Sequence, residues 1–311
     1  MELSADFAFQ PLPPIEPQAA AAIAPDAAGG GPLGALANLS GSWSGSGFNT
    51  IWRPHHPGQD HFLELNVTTE ELAFTVIAGA IPNRGLLQND ITMHGLSYLQ
   101  QIQDTNIIVN GAPAGLHFEP GLWLNIPVTT APKEVATIAR LASIPHGTTI
   151  LAQGTAKTTS GAPSIPKVSI TPFSIGSPNQ TIPFDESNLS KPSQFRTQPP
   201  GLKNVTQAMV NNPNSVLTAH AKPNIASTTT LHVFTKNADI VGGGTANTAF
   251  LKGKANANAD AARMHATFWL QTPQGSNTPN FLQYSQVVLL NFAGLSWPHV
   301  TVGNLTRQSG P

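Results

Sequence analysis

From residue 36 onward apolar and polar positions alternate in short runs. "FLELNV" (62–67) sets Leu63, Leu65 and Val67 on one face and Phe62, Glu64 and Asn66 on the other, the two-residue period of a strand. "ELAFTVIAGAI" (71–81), "LSYLQQIQ" (96–103), "LHFEPGLWLNIPV" (116–128) and "TTILAQGTA" (148–156) follow, with Gly, Pro or Asn between them. "VATIARLASI" (135–144) could make one or two helical turns, but its β-branched content favours a strand. Near the end come "MHATFWLQT" (264–272), "FLQYSQVVLLNF" (281–292) and "PHVTVGNL" (298–305). Many short strands separated by turn signals predict an all-β, antiparallel sandwich or barrel.

Two stretches break the rhythm. Residues 1–35 are rich in Ala, Pro and Gly and end near "AAGGGPLG", which reads as an extended arm. Residues 157–227 are dense in proline and read as an insertion covering one end or side of the barrel. Within them Asn204–Asn211 is the best helix candidate, stopped by Asn212-Pro213. The expected organisation is the arm followed by one barrel domain, 36–311.

Composition narrows the partners. Charged residues make up 10% of the 311 positions and the net charge is -1, against about 25% charged residues in an ordinary soluble domain. No basic patch is available for nucleic acid or anionic lipid. A surface so poor in charge resists self-association weakly, so a homo-oligomer is expected to be accessible. There is no cysteine, which removes disulfides and thiolate chemistry together. With no apolar run long enough to span a bilayer and no signal-peptide pattern at the start, the expectation is a cytoplasmic, non-membrane protein.

The ten histidines are the plentiful versatile groups. His55, His56 and His61, with Asp60 and Glu64 nearby, could assemble a nitrogen–oxygen metal site, although their spacing matches no established zinc signature. A polar loop between two strands is the plainer reading of "HHPGQDH". "GSWSG" carries Trp where a nucleophile elbow needs Ser, and neither glycine-rich stretch ends in Gly-Lys-Ser/Thr. Trp43, Trp123, Trp269 and Trp297 lie on strand-like segments and read as core, a large ring often plugging one end of a small barrel.

Four motifs in order carry a resemblance. "LANLSGSWSGSG" (36–47), with Gly41, Trp43, Gly45 and Gly47, resembles the opening of the nitrobindin family, the small haem-binding barrels also found as the barrel domain of THAP4-like proteins. "LSYLQQIQD" (96–104), "LHFEPGLWL" (116–124) and "LQYSQVVLLNFAGLSWPHVTVGNLTR" (282–307) resemble its second, third and terminal segments. Pro120 and Leu122 depart from the pattern, and Val288 or Leu289 falls where the family has a methionine.

The resemblance implies a calycin- or lipocalin-like up-and-down barrel holding haem b. His299 would be the proximal ligand of the iron, and His117 would lie in the pocket on the other side. It also implies nitric oxide, peroxynitrite or peroxide chemistry, as a peroxynitrite isomerase or a peroxidase-like activity. Read from its residues alone, His117 is a partly buried histidine paired with Glu119, two positions on and on the same face. Gly41, Gly45 and Gly47 would let the first strand bend around the barrel, and Trp43 would fill its closed end. Two alternatives remain: a lipocalin-like binder of a hydrophobic small molecule without haem, and a metal-dependent enzyme using His55, His56 and His61.

Overall fold

The structure is a computed structural model that describes residues 31–55, 59–236, 240, 242–252 and 258–308. The arm up to residue 30 and His56 lie outside the described residues. Ten long strands form the barrel: β1 (Gly41–His55), β2 (Gln59–Val76), β3 (Ile91–Val109), β4 (Ala112–Ile126), β5 (Thr137–Ile144), β6 (Thr148–Ser160), β7 (Ile225–Phe234), β8 (Asp260–Pro273), β9 (Phe281–Phe292) and β10 (Leu295–Arg307). Each pairs antiparallel with the next, and β1 pairs with β10 from Trp43↔Arg307 to Thr50↔Val300. An up-and-down sheet closed in this way leaves its ten strands no free edge. Within the segment 135–144, Thr137–Ile144 is a strand, as its β-branched content predicts.

The close approach of β1 to β10 depends on missing side chains. A Cβ added at Gly45 would lie 2.0 Å from the Asn304 carbonyl oxygen, and one at Gly47 would lie 2.1 Å from that of Val302. These glycines let the closing pair curl tightly.

The barrel has two kinds of inside. Its closed end is apolar: Trp43, Leu72, Leu96, Trp123, Phe268 and Leu305 pack there, under a 3₁₀ segment (Gly31–Leu39) that contributes Leu36 and Leu39. Trp43 donates its indole N–H to the Leu39 carbonyl at 2.8 Å. The Arg307 guanidinium lies 4.3 Å over the Trp43 ring and donates to the carbonyls of Asn38 and Ser40. The other end is lined by polar groups and opens toward the mouth.

In the first half of β2 the apolar face points outward, whereas Leu72 and Phe74 further along point into the barrel. Leu63 and Leu65 join Phe48, Trp52, Trp269, Trp297 and Val300 in a second core on the barrel's outer wall, while Glu64 and Asn66 line the interior. The cover is the insertion, which spans 161–224 between the ends of β6 and β7, slightly shorter than its composition suggests. It covers a side of the barrel: Leu63 N–H donates to Phe195, Thr197 N–H donates back to Leu63, and Trp52 donates to Ile170. Its short helices, α1 (Gln207–Asn211) and α2 (Ser215–Ala219), add Val210 and Leu217 to this core. The expected helix therefore starts later than Asn204 and ends where predicted, at Asn211. Of the four tryptophans read as core, Trp43 and Trp123 fill the barrel, whereas Trp269 and Trp297 belong to the outer core.

Gly45→Ala is expected to destabilise the fold by about 2 kcal/mol or more, because the clash is with backbone and cannot be relieved by a rotamer change. Gly244→Ala, whose Cβ would meet nothing within 4 Å, serves as the control. Urea denaturation of both variants checks this, and equal midpoints would contradict the close-approach role of Gly45.

Candidate functional site

Strands deliver side chains to the barrel interior at every second position. On β10 these are His299 and Thr301; on β1 Asn49, Ile51 and Arg53; on β2 Glu64 and Asn66; on β9 Tyr284, Gln286, Val288 and Leu290. With Gln100 and Ile102 of β3, Leu116 and His117 of β4, Ile144 of β5 and Thr148 and Ile150 of β6 they line a cavity of about 240 Å³ at the polar end. Thr245 and Leu251, in the connection between β7 and β8, and Ala259, just before β8, close part of the mouth. His146, in the turn between β5 and β6, completes a set of three histidines around one space.

Beneath the cavity lies a buried polar layer. Arg140 (1% exposed) and Glu119 (0%) meet with Nη2 donating to Oε1 at 2.5 Å. Arg140 Nε donates to the Tyr98 hydroxyl at 3.0 Å and its Nη1 to Gln286 Oε1 at 2.6 Å. Tyr98 donates to the same Glu119 oxygen as Arg140, and Glu119 Oε2 holds His117 Nε2 at 2.9 Å. Burial pushes the Glu119 carboxyl up, but the Arg140 charge and the hydrogen bonds of His117 and Tyr98 outweigh it and bring it to about 2.

A second carboxyl in the same layer has the opposite fate. Glu70 (3% exposed) accepts from Tyr284 at 2.6 Å and from Gln100 at 2.7 Å and, among the described residues, touches no cation. Burial dominates, and its carboxyl is pushed up to about 7. A side chain at position 303 would not fit beside this pair, since its Cβ would fall 2.3 Å from the Tyr284 ring and 3.0 Å from Glu70 Oε2.

His299 faces the cavity. Its Nε2 meets Asn49 Nδ2 at 2.8 Å, and the same amide nitrogen donates to Thr301 Oγ1 at 2.9 Å while Asn49 Oδ1 accepts from Asn66 at 3.1 Å. In this arrangement Nε2 is an acceptor. Nδ1 has no protein partner among the described residues, yet it is not one of the sealed, unpartnered nitrogens, so it opens on the cavity. Burial, with the charges of His117 and His146, pulls the imidazole down to about 3 and keeps it neutral near pH 7. His117 lies across the same cavity with its ring centroid 5.9 Å from that of His146. The pairing with Glu119 read from sequence is therefore present, and His117 lines the pocket as well.

The other histidine group is dispersed. His61 stacks on Trp297 (5.2 Å) and Phe184 (4.3 Å) in the outer core, with Nε2 3.3 Å from Glu186 of the insertion. His55 packs against Phe62 and Phe195. Among the described residues no group of three metal-ligating side chains forms, at this site or elsewhere. Of the expected nitrogen–oxygen site, His56 and the Asp60 side chain lie outside the described residues, and His61 packs in an aromatic cage made by Trp52, Trp297 and Phe184.

His146, Arg140, Gln100, Tyr284 and Gln286 were not singled out from the sequence. One signal was available: Arg140 is the lone charge in the otherwise apolar run "VATIARLASI", and a charge buried in a strand needs a partner across the barrel.

No protein-family model matches the chain, and no curated protein matches it. Among solved structures the chain is similar to the crystal structure of Rv2717c from M. tuberculosis, with 15% identity and a TM-score of 0.41 over 89% of this chain and 97% of that one. No helix among the described residues is long and apolar enough to cross a membrane.

Glu70 gives a pH signature. Its folded value lies above its ordinary 4.5, so its contribution to stability is fully present below about pH 4.5 and is lost as pH rises toward 7. Glu70→Gln is therefore expected to match the parent near pH 4 and to exceed it by about 3 kcal/mol near pH 8, at ~1.4 kcal/mol per pH unit. Chemical denaturation across pH 4–8 checks this; a pH-independent difference would rule out a buried, unpaired carboxyl at position 70.

Proposed function

We propose that this chain is a haem-binding β-barrel in which His299 is the protein ligand of the iron. The observation that carries the reading is the state of that side chain: a neutral imidazole with one nitrogen held by Asn49 and the other open to the cavity. A metal-binding histidine donates its outer N–H and keeps a lone pair for the metal. With Asn49 Nδ2 on Nε2 the ring proton sits on Nδ1; reversing the Asn49 and Asn66 amides lets Asn49 Oδ1 accept from Nε2–H and frees the Nδ1 lone pair. In that tautomer the donor chemistry fits haem. The walls fit too: Ile102, Leu116, Ile144, Ile150, Val288 and Leu290 offer apolar surface to a porphyrin.

Bound there, the iron would supply a site for nitric oxide, peroxynitrite or peroxide, the chemistry implied by the nitrobindin resemblance. The chain's own residues do the rest. Asn49 orients His299, and Asn66 orients Asn49. Glu119 holds His117 by Nε2 and leaves its other nitrogen for the cavity. Arg140 keeps Glu119 charged, so His117 is set to hold a proton on the Glu119 side. The aliphatic walls and Leu251 limit the entry of water.

A second reading, a ligand smaller than haem, is favoured by size. The cavity of about 240 Å³ has room for roughly eight waters at ~30 Å³ each, less than a whole porphyrin needs, so haem would have to seat partly in the mouth.

Titration of the purified protein with haemin is expected to give a Soret band at one equivalent. His299→Ala should remove the band or weaken haemin affinity at least about tenfold, the scale of losing an axial ligand's support. His61→Ala, in the outer core, should leave the spectrum unchanged. A protein that takes up no haemin, or a band indifferent to His299, overturns the reading.

A further inference from the structure

The cavity floor has a fixed hydrogen-bonding polarity that a haem-iron site does not require. Gln286 is buried, and its Oε1 is committed to Arg140 at 2.6 Å. Its Nε2 therefore faces away from Arg140, without a partner among the described residues, and it is not sealed from the cavity. Gln100 is held the other way round. Its Nε2 donates to Glu70 at 2.7 Å and to the Tyr284 hydroxyl at 3.2 Å, so its Oε1 is the free atom. Asn66 repeats this, with Nδ2 given to Asn49 and Oδ1 free. Gln286 is locked because the Arg140 guanidinium can only donate, and Gln100 is locked above about pH 7, where Glu70 is ionised and can only accept; Asn66 takes its direction from Asn49.

The floor thus presents one free donor amide and two free acceptor oxygens, all buried or nearly so. Buried polar atoms are matched by water or by a ligand, and a ligand that matches must carry an acceptor and a donor at one planar end. A primary carboxamide or a lactam edge has both. A carboxylate has acceptors only and would face the Gln100 and Asn66 oxygens. Above the floor the walls are mixed: Ile102, Ile144, Ile150, Val288 and Leu290 stand beside His117, His146, His299 and the Arg53–Glu64 pair. An apolar cavity of ~150 Å³ holds benzene, so a space of about 240 Å³ admits roughly ten non-hydrogen atoms.

Resting on the reading of a ligand smaller than haem, we infer that the cavity selects small aromatic or aliphatic carboxamides, with Gln286 donating to the ligand carbonyl and Gln100 and Asn66 accepting from its N–H groups. The apolar body of the ligand lies between Ile150 and Leu290. The selectivity is for neutral amides over the matching carboxylates.

The test compares three probes of equal size, benzamide, benzoate and acetophenone, by calorimetry at pH 7.5. Benzamide is expected to bind at least about tenfold more tightly than either of the others, because a site built to hydrogen-bond a group discriminates against the analogue that lacks it. Gln286→Glu keeps a partner for Arg140 but replaces the free donor with an acceptor, and it should abolish the preference. Leu290→Trp, which fills the cavity from its wall, should abolish binding of all three. Equal affinities, or no binding by any probe because water alone satisfies the floor, would overturn the inference. Haemin uptake is read separately from the Soret band: a protein without it can still show the amide preference, and a haemin-binding protein lacking that preference overturns this inference alone.

Discussion

Arg140 and Glu119 meet in the middle of the barrel with almost no access to water. A pair so deeply desolvated is stable only if its remaining donors and lone pairs are occupied, and Tyr98 and Gln286 from two other strands, with His117 from Glu119's own strand, occupy them. Removing one partner from such a pair costs roughly 3–5 kcal/mol, because a charge is left buried without compensation. The interior is thereby divided at this layer: below it the space is filled by rings and aliphatic groups, and above it the cavity remains.

The two buried glutamates show how local the electrostatics are. Both are buried in the same polar layer, yet one is held ionised to about pH 2 and the other keeps its proton to about pH 7. A guanidinium in contact accounts for the difference. This asymmetry sets the character of the cavity wall. Glu119 holds His117 by a charge, whereas Glu70 orders Tyr284 and Gln100 by hydrogen bonds alone.

The insertion has a structural role that does not compete with the cavity. It buries an outer wall rich in tryptophan that water would otherwise meet, and two backbone bonds to Leu63 fix its register on β2. Its Phe184 helps to bury His61 among aromatic rings. The mouth is left to the short connection that carries Thr245 and Leu251.

Much of the architecture was legible along the chain. Two-residue alternation located the strands, glycine spacing marked the tightly curled first strand, and proline density marked the insertion. His117 with Glu119 was legible because residues two apart on a strand share a face. Alternation does not say which face is inward. For the first half of β2 the apolar face turned outward, because the insertion, distant in sequence, supplied a second core. The site depends on partners between 21 and 250 positions apart, such as Arg140 with Glu119 and Asn49 with His299. Such pairings are set by barrel closure and register, and a linear sequence carries no measure of either. Strand order and the container were therefore properties of the sequence, whereas the cavity, its fixed amides and the divergent fates of Glu70 and Glu119 were decided by the tertiary structure, which alone determines what each buried group touches.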